Sequence, residues 1–276
     1  MKAVLLVPLL VAAAVPASSI RFLESRQTPA GGFAEQGGAA SPQLTAWAAL
    51  GLRAAGGTPG GAARYLAAHE SELRGATDVA IAALGTRAAG GNPARLLARL
   101  HRFERRNGAI GPLVNSTAWA VLALRQEGEQ IRPRTVRYLL GHQASSGGWA
   151  WSPGGDPDSN DTAAAVEALR AAGVGVSATP IKRGLRYLRR FQNGDGGFEL
   201  TPGRGSDAQS TAWAIQAFLA AGRPPGKAAF AYLARLHRRD GSYRYSARYV
   251  TTPVWVTAQV LPALARKPFP LSLGKD

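Results

Sequence analysis

The segment Gln143–Trp151, QASSGGWAW, decides the fold because its core recurs along the chain. The core reads Gln-x-x-x-Gly-x-aromatic, and the same spacing recurs at Gln27–Phe33 and Gln192–Phe198, with looser copies at Glu104–Ile110 and His237–Tyr243. A second motif, Thr-Ala-Trp-Ala or a similar sequence, recurs at predicted helix starts: Thr45–Ala48, Thr117–Ala120, Thr162–Ala165 and Thr211–Ala214. Less complete copies lie at Thr77–Ala80 and Thr252–Val256. Six such repeats bury their apolar faces only against their neighbours.

Each predicted unit holds two helices joined by a glycine-rich turn. The first helix is basic and amphipathic: in 181–191, Leu185 and Leu188 share one side while the arginines stay free for water. The second helix is alanine-rich and nearly uncharged, as in 118–124 and 212–218, which is typical of a buried helix. We therefore expect the basic helices outside and the alanine-rich helices inside.

The N-terminal residues 1–17 have the pattern of a signal peptide. Lys2 gives a positive start, 3–15 is apolar, and Val15-Pro16-Ala17 is a small-residue cleavage site. The run is shorter than the ~20 residues that span a bilayer, so an uncleaved anchor is the less favoured alternative. The pattern predicts a secreted, extracytoplasmic protein with one domain at 18–270 and a tail at 271–276.

Composition excludes several classes of site. The chain has no cysteine, which rules out disulfides, lipoprotein attachment and thiolate metal sites. The four histidines fall in four different units, so we expect no metal and no cofactor. The formal charge of +16 favours contact with an anionic cell surface, although base composition explains an arginine excess equally well. No nucleic-acid recognition motif is present, and we expect no nucleic acid partner.

Short polar residues precede the predicted inner helices, with Ser41, Asn115, Asp158, Asp207 and Thr252 at or next to the N-cap positions. If the inner helices are parallel, their N-termini meet at one end of the molecule, which we call the mouth. Aligned helix dipoles make such an end receptive to anions.

The stretch from Gln143 to Trp149 is similar to the QW motif of terpenoid cyclases, and the whole repeat resembles the prenyltransferase/squalene-cyclase repeat family. The resemblance covers nearly all of the mature chain, with phenylalanine replacing tryptophan at Phe33 and Phe198. It implies an all-α fold, an α6/α6 toroid with two concentric rings of six helices around an apolar cavity. An open helical solenoid has a similar repeat period and is the competing architecture.

The segment 158–163, DSNDTA, resembles the Asp-x-Asp-Asp-Thr-Ala motif with which class II cyclases protonate an alkene or epoxide. The resemblance assigns the acid to the middle aspartate, but Asn160 occupies that position and an amide cannot donate the proton. Asp156, Asp158 and Asp161 remain as candidate catalytic acids. A capped helix start is the alternative explanation of these carboxylates, and the one we favour. Protein prenyltransferases and thioester-containing complement-like domains share the toroid, but each needs a cysteine that this chain lacks.

The candidate ligand-binding residues lie at the predicted mouth and cavity. Four tryptophans are predicted at the same place on the inner helices and either line a cavity for a flat or polyene ligand or pack the repeats together: Trp47, Trp119, Trp213 and Trp255. The polar candidates at the mouth are Glu35, Asp158, Asn160, Asp161, Glu199 and Asp207.

These features favour a non-catalytic toroid that binds a small hydrophobic or amphipathic ligand, isoprenoid- or cobalamin-like, or a partner protein. In the animal vitamin B12 carriers that share the toroid, the ligand lies at the mouth beneath a second, β-rich domain. No counterpart of that domain is expected here, so a carrier of this kind would need a second extracellular protein to close the mouth. The alternatives are a single-domain terpene cyclase/mutase-like enzyme acting on an isoprenoid, and a structural cell-surface module.

Overall fold

The computed structural model describes residues 15–272, which form twelve α-helices, one turn of 3₁₀-helix (Glu70–Glu72) and one two-stranded ladder. The outer helices are α1 (Ala17–Glu24), α3 (Ala62–Ala68), α5 (Ala94–Arg102), α7 (Pro133–Gly141), α9 (Thr179–Arg189) and α11 (Lys227–Leu236). The inner helices are α2 (Pro42–Ala55), α4 (Ala76–Ala88), α6 (Val114–Gln126), α8 (Ser159–Ala171), α10 (Ala208–Ala220) and α12 (Pro253–Leu264). Most of the predicted signal peptide lies outside the described residues.

The inner helices form a closed ring, because each packs against the next and α12 packs against α2. Small residues permit the close approach: a Cβ on Gly51 would lie 2.5 Å from the backbone oxygen of Ala258, and one on Gly85 would lie 2.6 Å from the Cα of Ala46. The structure is therefore the predicted α6/α6 toroid, and the open solenoid is excluded.

The outer helices bury one face and expose their arginines, as predicted. On α9, Ile181, Leu185 and Leu188 are buried, whereas Arg186 and Arg189 are exposed to solvent. The inner helices are buried on nearly all sides; on α6 every residue from Val114 to Leu124 is buried. Their parallel N-termini meet at the mouth, and their C-termini meet at the opposite end.

The turn at Gln143–Trp149 is tied to two helices. The Gln143 amide Nε2 donates to the carbonyl oxygens of Gly147 and Pro180, at 2.8 and 2.9 Å, which joins the turn to the start of α9. The Trp149 backbone N–H donates to the hydroxyl of Thr162 on α8, at 2.9 Å. Four other turns make the same bond, in which the backbone N–H of a turn residue donates to the hydroxyl of a threonine on the inner helix. The pairs are Phe33 and Thr45, Ile110 and Thr117, Phe198 and Thr211, and Tyr243 and Thr257.

The sixth unit corrects one sequence assignment. Its turn-bonded threonine is Thr257, and Thr252 is instead the residue before α12, with φ 40° and no capping side-chain bond. The pattern Thr-Pro-Val-Trp-Val matched the tryptophan of the other units but not the distance from the turn. Thr257 is the fifth residue of α12, whereas the turn-bonded threonine is the fourth residue of α2, α6, α8 and α10.

Candidate functional site

The axis of the toroid is filled by a layer of tryptophans. Trp47, Trp119 and Trp213 each lie two residues after a turn-bonded threonine. Their ring centroids are 5.3, 5.4 and 6.0 Å apart, which is the range of favourable aromatic packing. The structure therefore shows these three rings packed on one another, and Trp47 and Trp119 are each only 2% exposed.

Trp255 lies elsewhere on its helix than the other three. It precedes Thr257 by two residues, so it sits one turn nearer the mouth, and Gln259 occupies the position equivalent to the tryptophans. Its ring remains 6.2 Å from that of Trp47 and is half-buried. Of the four tryptophans, Trp255 therefore lies on the mouth side of the layer and closes it there.

The helix N-termini at the mouth are occupied by groups from the neighbouring unit. The carbonyl oxygens of Trp151, Leu200 and Tyr245 accept from the first N–H groups of α6, α8 and α10, at distances of 2.7–3.2 Å. At the point where the ring closes, the Glu35 carboxylate takes this role and accepts from Val254 and Trp255 at 3.1 and 2.9 Å. Because these N–H groups are already hydrogen-bonded, fewer free N–H groups remain at the mouth to bind an anion.

Two other acidic candidates organise loops at the mouth. The Glu199 carboxylate is buried and accepts from the backbone N–H groups of Gly203 and Gly205, at 3.2 and 2.9 Å. Asp207 caps α10 by accepting from the N–H and hydroxyl of Ser210, at 2.7 and 2.8 Å, and burial raises the pKa of its carboxyl. Both side chains hold the loop 199–207 in place.

Asp158 and Asp161 begin α8 and have different surroundings. Asp158 caps the helix, its carboxylate accepting from the Asp161 N–H at 2.8 Å, as the capping interpretation predicts. The Asp161 carboxylate is buried and accepts from the Asn115 amide on α6, at 2.6 Å. Burial, together with the charge of Asp158, raises the pKa of Asp161 to about 8, so this carboxyl keeps its proton at neutral pH. Asn115 lies inside α6 and not at its N-cap.

The remaining residues of this segment do not join that pair. Asn160 is half-buried, and its amide oxygen accepts weakly from the Ser159 hydroxyl, at 3.4 Å. Asp156 is exposed in the loop between β1 (Trp149–Ala150) and β2 (Pro157–Asp158). The structure thus brings Asp158 and Asp161 together with Asn115, and leaves Asp156 in solvent.

A cavity of about 630 Å³ opens at the mouth between the loop 203–207 and the loop 245–251. Tyr232, Tyr245 and Tyr249 supply apolar ring surface, and Arg204 and Arg248 supply positive charge. Of the sequence candidates only Asp207 lines it. Sequence reasoning missed four of these residues because they lie in irregular loops: Arg204, Tyr245, Arg248 and Tyr249. Tyr232 lies on the outer helix α11. The tyrosine-rich run YRYSARY at 243–249 is the sequence signal that marks the second loop.

Neither a metal site nor a membrane-spanning helix is found in the part of the chain that the structure describes. Over residues 15–272, no group of three or more His, Asp or Glu side chains is arranged to hold a metal ion. None of the helices described there is long and apolar enough to cross a membrane.

The sequence matches no protein-family model and no curated protein, but its structure is similar to solved ones. A protein from Actinoplanes matches with a TM-score of 0.71 and 20% identity over 92% of this chain and 98% of its own. A variant of type II terpene cyclase MstE from Scytonema, in complex with geranylgeranyl dihydroxybenzoate, matches with 0.66 and 17% over 90% and 94%. ent-Copalyl diphosphate synthase from Streptomyces platensis matches with 0.59 and 22% over 82% and 50%.

The fold is that of the terpenoid cyclases. On this terpenoid-cyclase fold the segment 158–163 begins inner helix α8, and the middle acid position of the resembled motif holds Asn160. The layer of tryptophans separates the mouth from the opposite end of the toroid. The 630 Å³ cavity lies on the mouth side, and none of the four tryptophans lines it.

Proposed function

We propose that this chain is a secreted terpenoid-cyclase-like toroid that binds a small amphipathic molecule at its mouth, without transforming it. The observation that carries the proposal is the 630 Å³ cavity, whose volume lies in the range of small-molecule sites. The axis offers no comparable space at this end, because Trp47, Trp119 and Trp213 fill it.

The lining indicates the class of ligand. Arg204 and Arg248 favour a carboxylate or similar acidic group, which guanidinium groups recognise with paired N–H donors. Tyr245 and Tyr249 offer ring faces for an apolar body, and Tyr249 is 59% exposed at the rim. A prenylated aromatic acid has both parts, and the similar terpene cyclase from Scytonema was solved with geranylgeranyl dihydroxybenzoate.

Calorimetric titration with geranylgeranyl dihydroxybenzoate tests this proposal. We expect binding by the wild type and at least tenfold weaker binding by the Arg204→Ala/Arg248→Ala variant, since each lost charged contact costs about 1.5–3 kcal/mol. Arg223→Ala is the matched control, because Arg223 is exposed beyond the C-terminal end of α10, away from the mouth.

Two results would contradict the proposal. One is an affinity that the double arginine substitution leaves unchanged, and the other is the absence of heat from the wild type. The Asp158→Ala/Asp161→Ala variant shows in the same assay whether the site extends to the start of α8. Unchanged affinity there would remove Asp158, Asn160 and Asp161 from the ligand site.

A second candidate function is proton-initiated cyclisation of an isoprenoid. The observation that favours it is Asp161, a buried carboxyl that holds its proton at neutral pH and is fixed by the Asn115 amide at 2.6 Å. A general acid needs both features, and the enzyme alternative assigns the acid to a displaced aspartate because Asn160 is an amide.

Product analysis distinguishes this candidate from simple binding. If Asp161 is the acid, the wild type gives a cyclic product from geranylgeranyl dihydroxybenzoate, Asn160→Asp raises the yield, and Asp161→Asn abolishes it. No cyclic product from either the wild type or Asn160→Asp, both shown to be folded by circular dichroism, would eliminate the enzyme candidate.

A further inference from the structure

The chain after α12 turns back across the end of the toroid opposite the mouth. Arg266, with φ 56°, ends the helix, and the N–H groups of Arg266 and Lys267 bond to the carbonyls of Ala263 and Pro262. The following residues, 268–272, cross the C-terminal ends of the inner helices. From here on we call 266–272 the tail; it begins five residues before the tail predicted at 271–276, of which 273–276 lie outside the described residues.

The tail inserts one aromatic side chain into the axis. Phe269 is 3% exposed, and its ring centroid lies 6.1 Å from that of Trp47 and 5.9 Å from that of Trp119. Its backbone N–H donates to the Glu167 carboxyl on α8, at 2.7 Å. Leu271 is 4% exposed and follows it into the same end of the ring. The tail therefore closes the axis on the side of the tryptophan layer that faces away from the mouth.

The tail is held by few bonds and leaves space beside it. Within the described part of the chain, the Phe269–Glu167 contact is the one hydrogen bond made by the backbone of residues 268–272. Pro268 and Pro270 have no N–H to offer. A cavity of about 320 Å³ lies on one side, against Glu167 and Phe269, and one of about 330 Å³ lies on the other, against Arg53 and Leu271. The segment is packed through Phe269 and Leu271 and is loosely fitted elsewhere.

Two of the inner helices that form the ring, α10 and α12, carry buried polar atoms without partners. The Trp213 indole N–H, the Gln216 Oε1, and both amide atoms of Gln259 are buried and make no hydrogen bond. Gln216 and Gln259 are each 1% exposed. Gln216 follows Trp213 by three residues, so it lies on the same face of α10, one turn nearer the tail. Buried donors and acceptors are normally paired, so their number here points to a missing hydrogen-bonding partner.

We propose that the tail is a displaceable plug, and that the space occupied by Phe269 and its two flanking cavities is a second binding site. Its ligand is an apolar, planar or polyene molecule with one neutral hydrogen-bonding group. The apolar part replaces the Phe269 ring against Trp47 and Trp119, and the polar group pairs with the amides of Gln216 and Gln259. The ligand enters at the end opposite the mouth, so this site is independent of the mouth cavity.

Thiol labelling tests whether the tail opens. The chain has no cysteine, so Leu271→Cys introduces a unique thiol in the tail while keeping Phe269 in place. Leu188→Cys on α9 is the matched control, because Leu188 is a fully buried leucine outside the tail. We expect dithionitrobenzoate to label Cys at position 271 at least about 100-fold faster than at position 188, since opening a loosely held segment needs less free energy than global unfolding.

Farnesol, an apolar polyene with one hydroxyl group, is the ligand probe. We expect it to accelerate labelling at position 271 severalfold, with saturation, and to leave labelling at position 188 unchanged. Equal labelling rates at the two positions in the absence of farnesol would show that the tail is a fixed part of the core. A rate at position 271 that does not respond to farnesol would overturn the ligand site. Thermal melts of both variants confirm that each is folded at the labelling temperature.

Discussion

Two carboxyl groups in this molecule have a protonation state that only the tertiary structure sets. Asp161 and Glu167 both lie on α8, and burial is the first cause that raises the pKa of each to about 8. The sequence indicated Asp161 through its motif but could not place Asn115, 46 residues away, against it. Glu167 carried no sequence signal, because its partner is the backbone of the tail.

Glu167→Gln should stabilise the protein at alkaline pH. The folded pKa of about 8 exceeds the ordinary value of 4.5, so the unfolded chain releases this proton at lower pH than the folded chain. Stability from this group is complete below pH 4.5 and is lost as pH rises to about 8. Glutamine keeps the oxygen that accepts from Phe269 and has no such proton to lose. Urea unfolding from pH 4 to pH 9 measures the difference.

The expected difference in unfolding free energy between Glu167→Gln and the wild type is small near pH 4. It grows to the order of a few kcal/mol by pH 9, because each unit of pKa shift corresponds to about 1.4 kcal/mol. Asp161 titrates in the same window in both proteins, so its contribution cancels in the comparison. A difference that is constant across this pH range would contradict the assignment of the raised pKa to Glu167.

At the scale of the element, four inner helices begin on a group supplied by the next unit: α6, α8, α10 and α12. Glu35 is the ring-closing member, since its carboxylate reaches Val254 and Trp255 at the start of α12. A charged cap of this kind contributes about 0.5–2 kcal/mol. We expect Glu35→Ala to lower the unfolding free energy by that amount, measured by urea titration at neutral pH.

The control for this variant is Glu72→Ala, which removes an exposed glutamate outside the ring closure and should change stability by less than about 0.5 kcal/mol. If the two glutamate variants lose stability equally, the cap at α12 contributes nothing and the ring is closed by apolar packing alone.

Loss of the turn glutamine is also expected to lower the stability of the protein. Gln143 donates from one amide to Gly147 and Pro180, so Gln143→Ala leaves two partly buried carbonyls without that partner. We expect a loss of about 1–3 kcal/mol in unfolding free energy. Gln130→Ala, at an exposed loop position, serves as the control and should be nearly neutral. Thermal unfolding of the three proteins side by side gives the measurement, and equal midpoints for both variants would show that the turn glutamine is dispensable.

For the whole molecule, the sequence predicts the ring because the turn and the threonine bond repeat. The structure places Thr45 and Thr211 at helix starts, as predicted, and shows that each bonds its turn. In the sixth unit Thr257 makes this bond in place of the predicted Thr252, which lies nearer the turn and outside the helix. The inner-helix tryptophans of the axis were candidates from the sequence, but Phe269 was not, since the tail that carries it has no repeat signal. The mouth cavity was likewise hidden, because irregular loops supply most of its wall and only Tyr232 comes from a helix, α11.

The most direct test of a ligand-binding toroid is mass spectrometry of small molecules extracted from the protein purified from its native host. The wild type and the Arg204→Ala/Arg248→Ala variant are produced side by side. We predict about one acidic amphipathic molecule per wild-type chain, and at least tenfold less from the variant, as the loss of two charged contacts requires. No molecule above background in the wild type, or equal amounts from both proteins, would contradict the account.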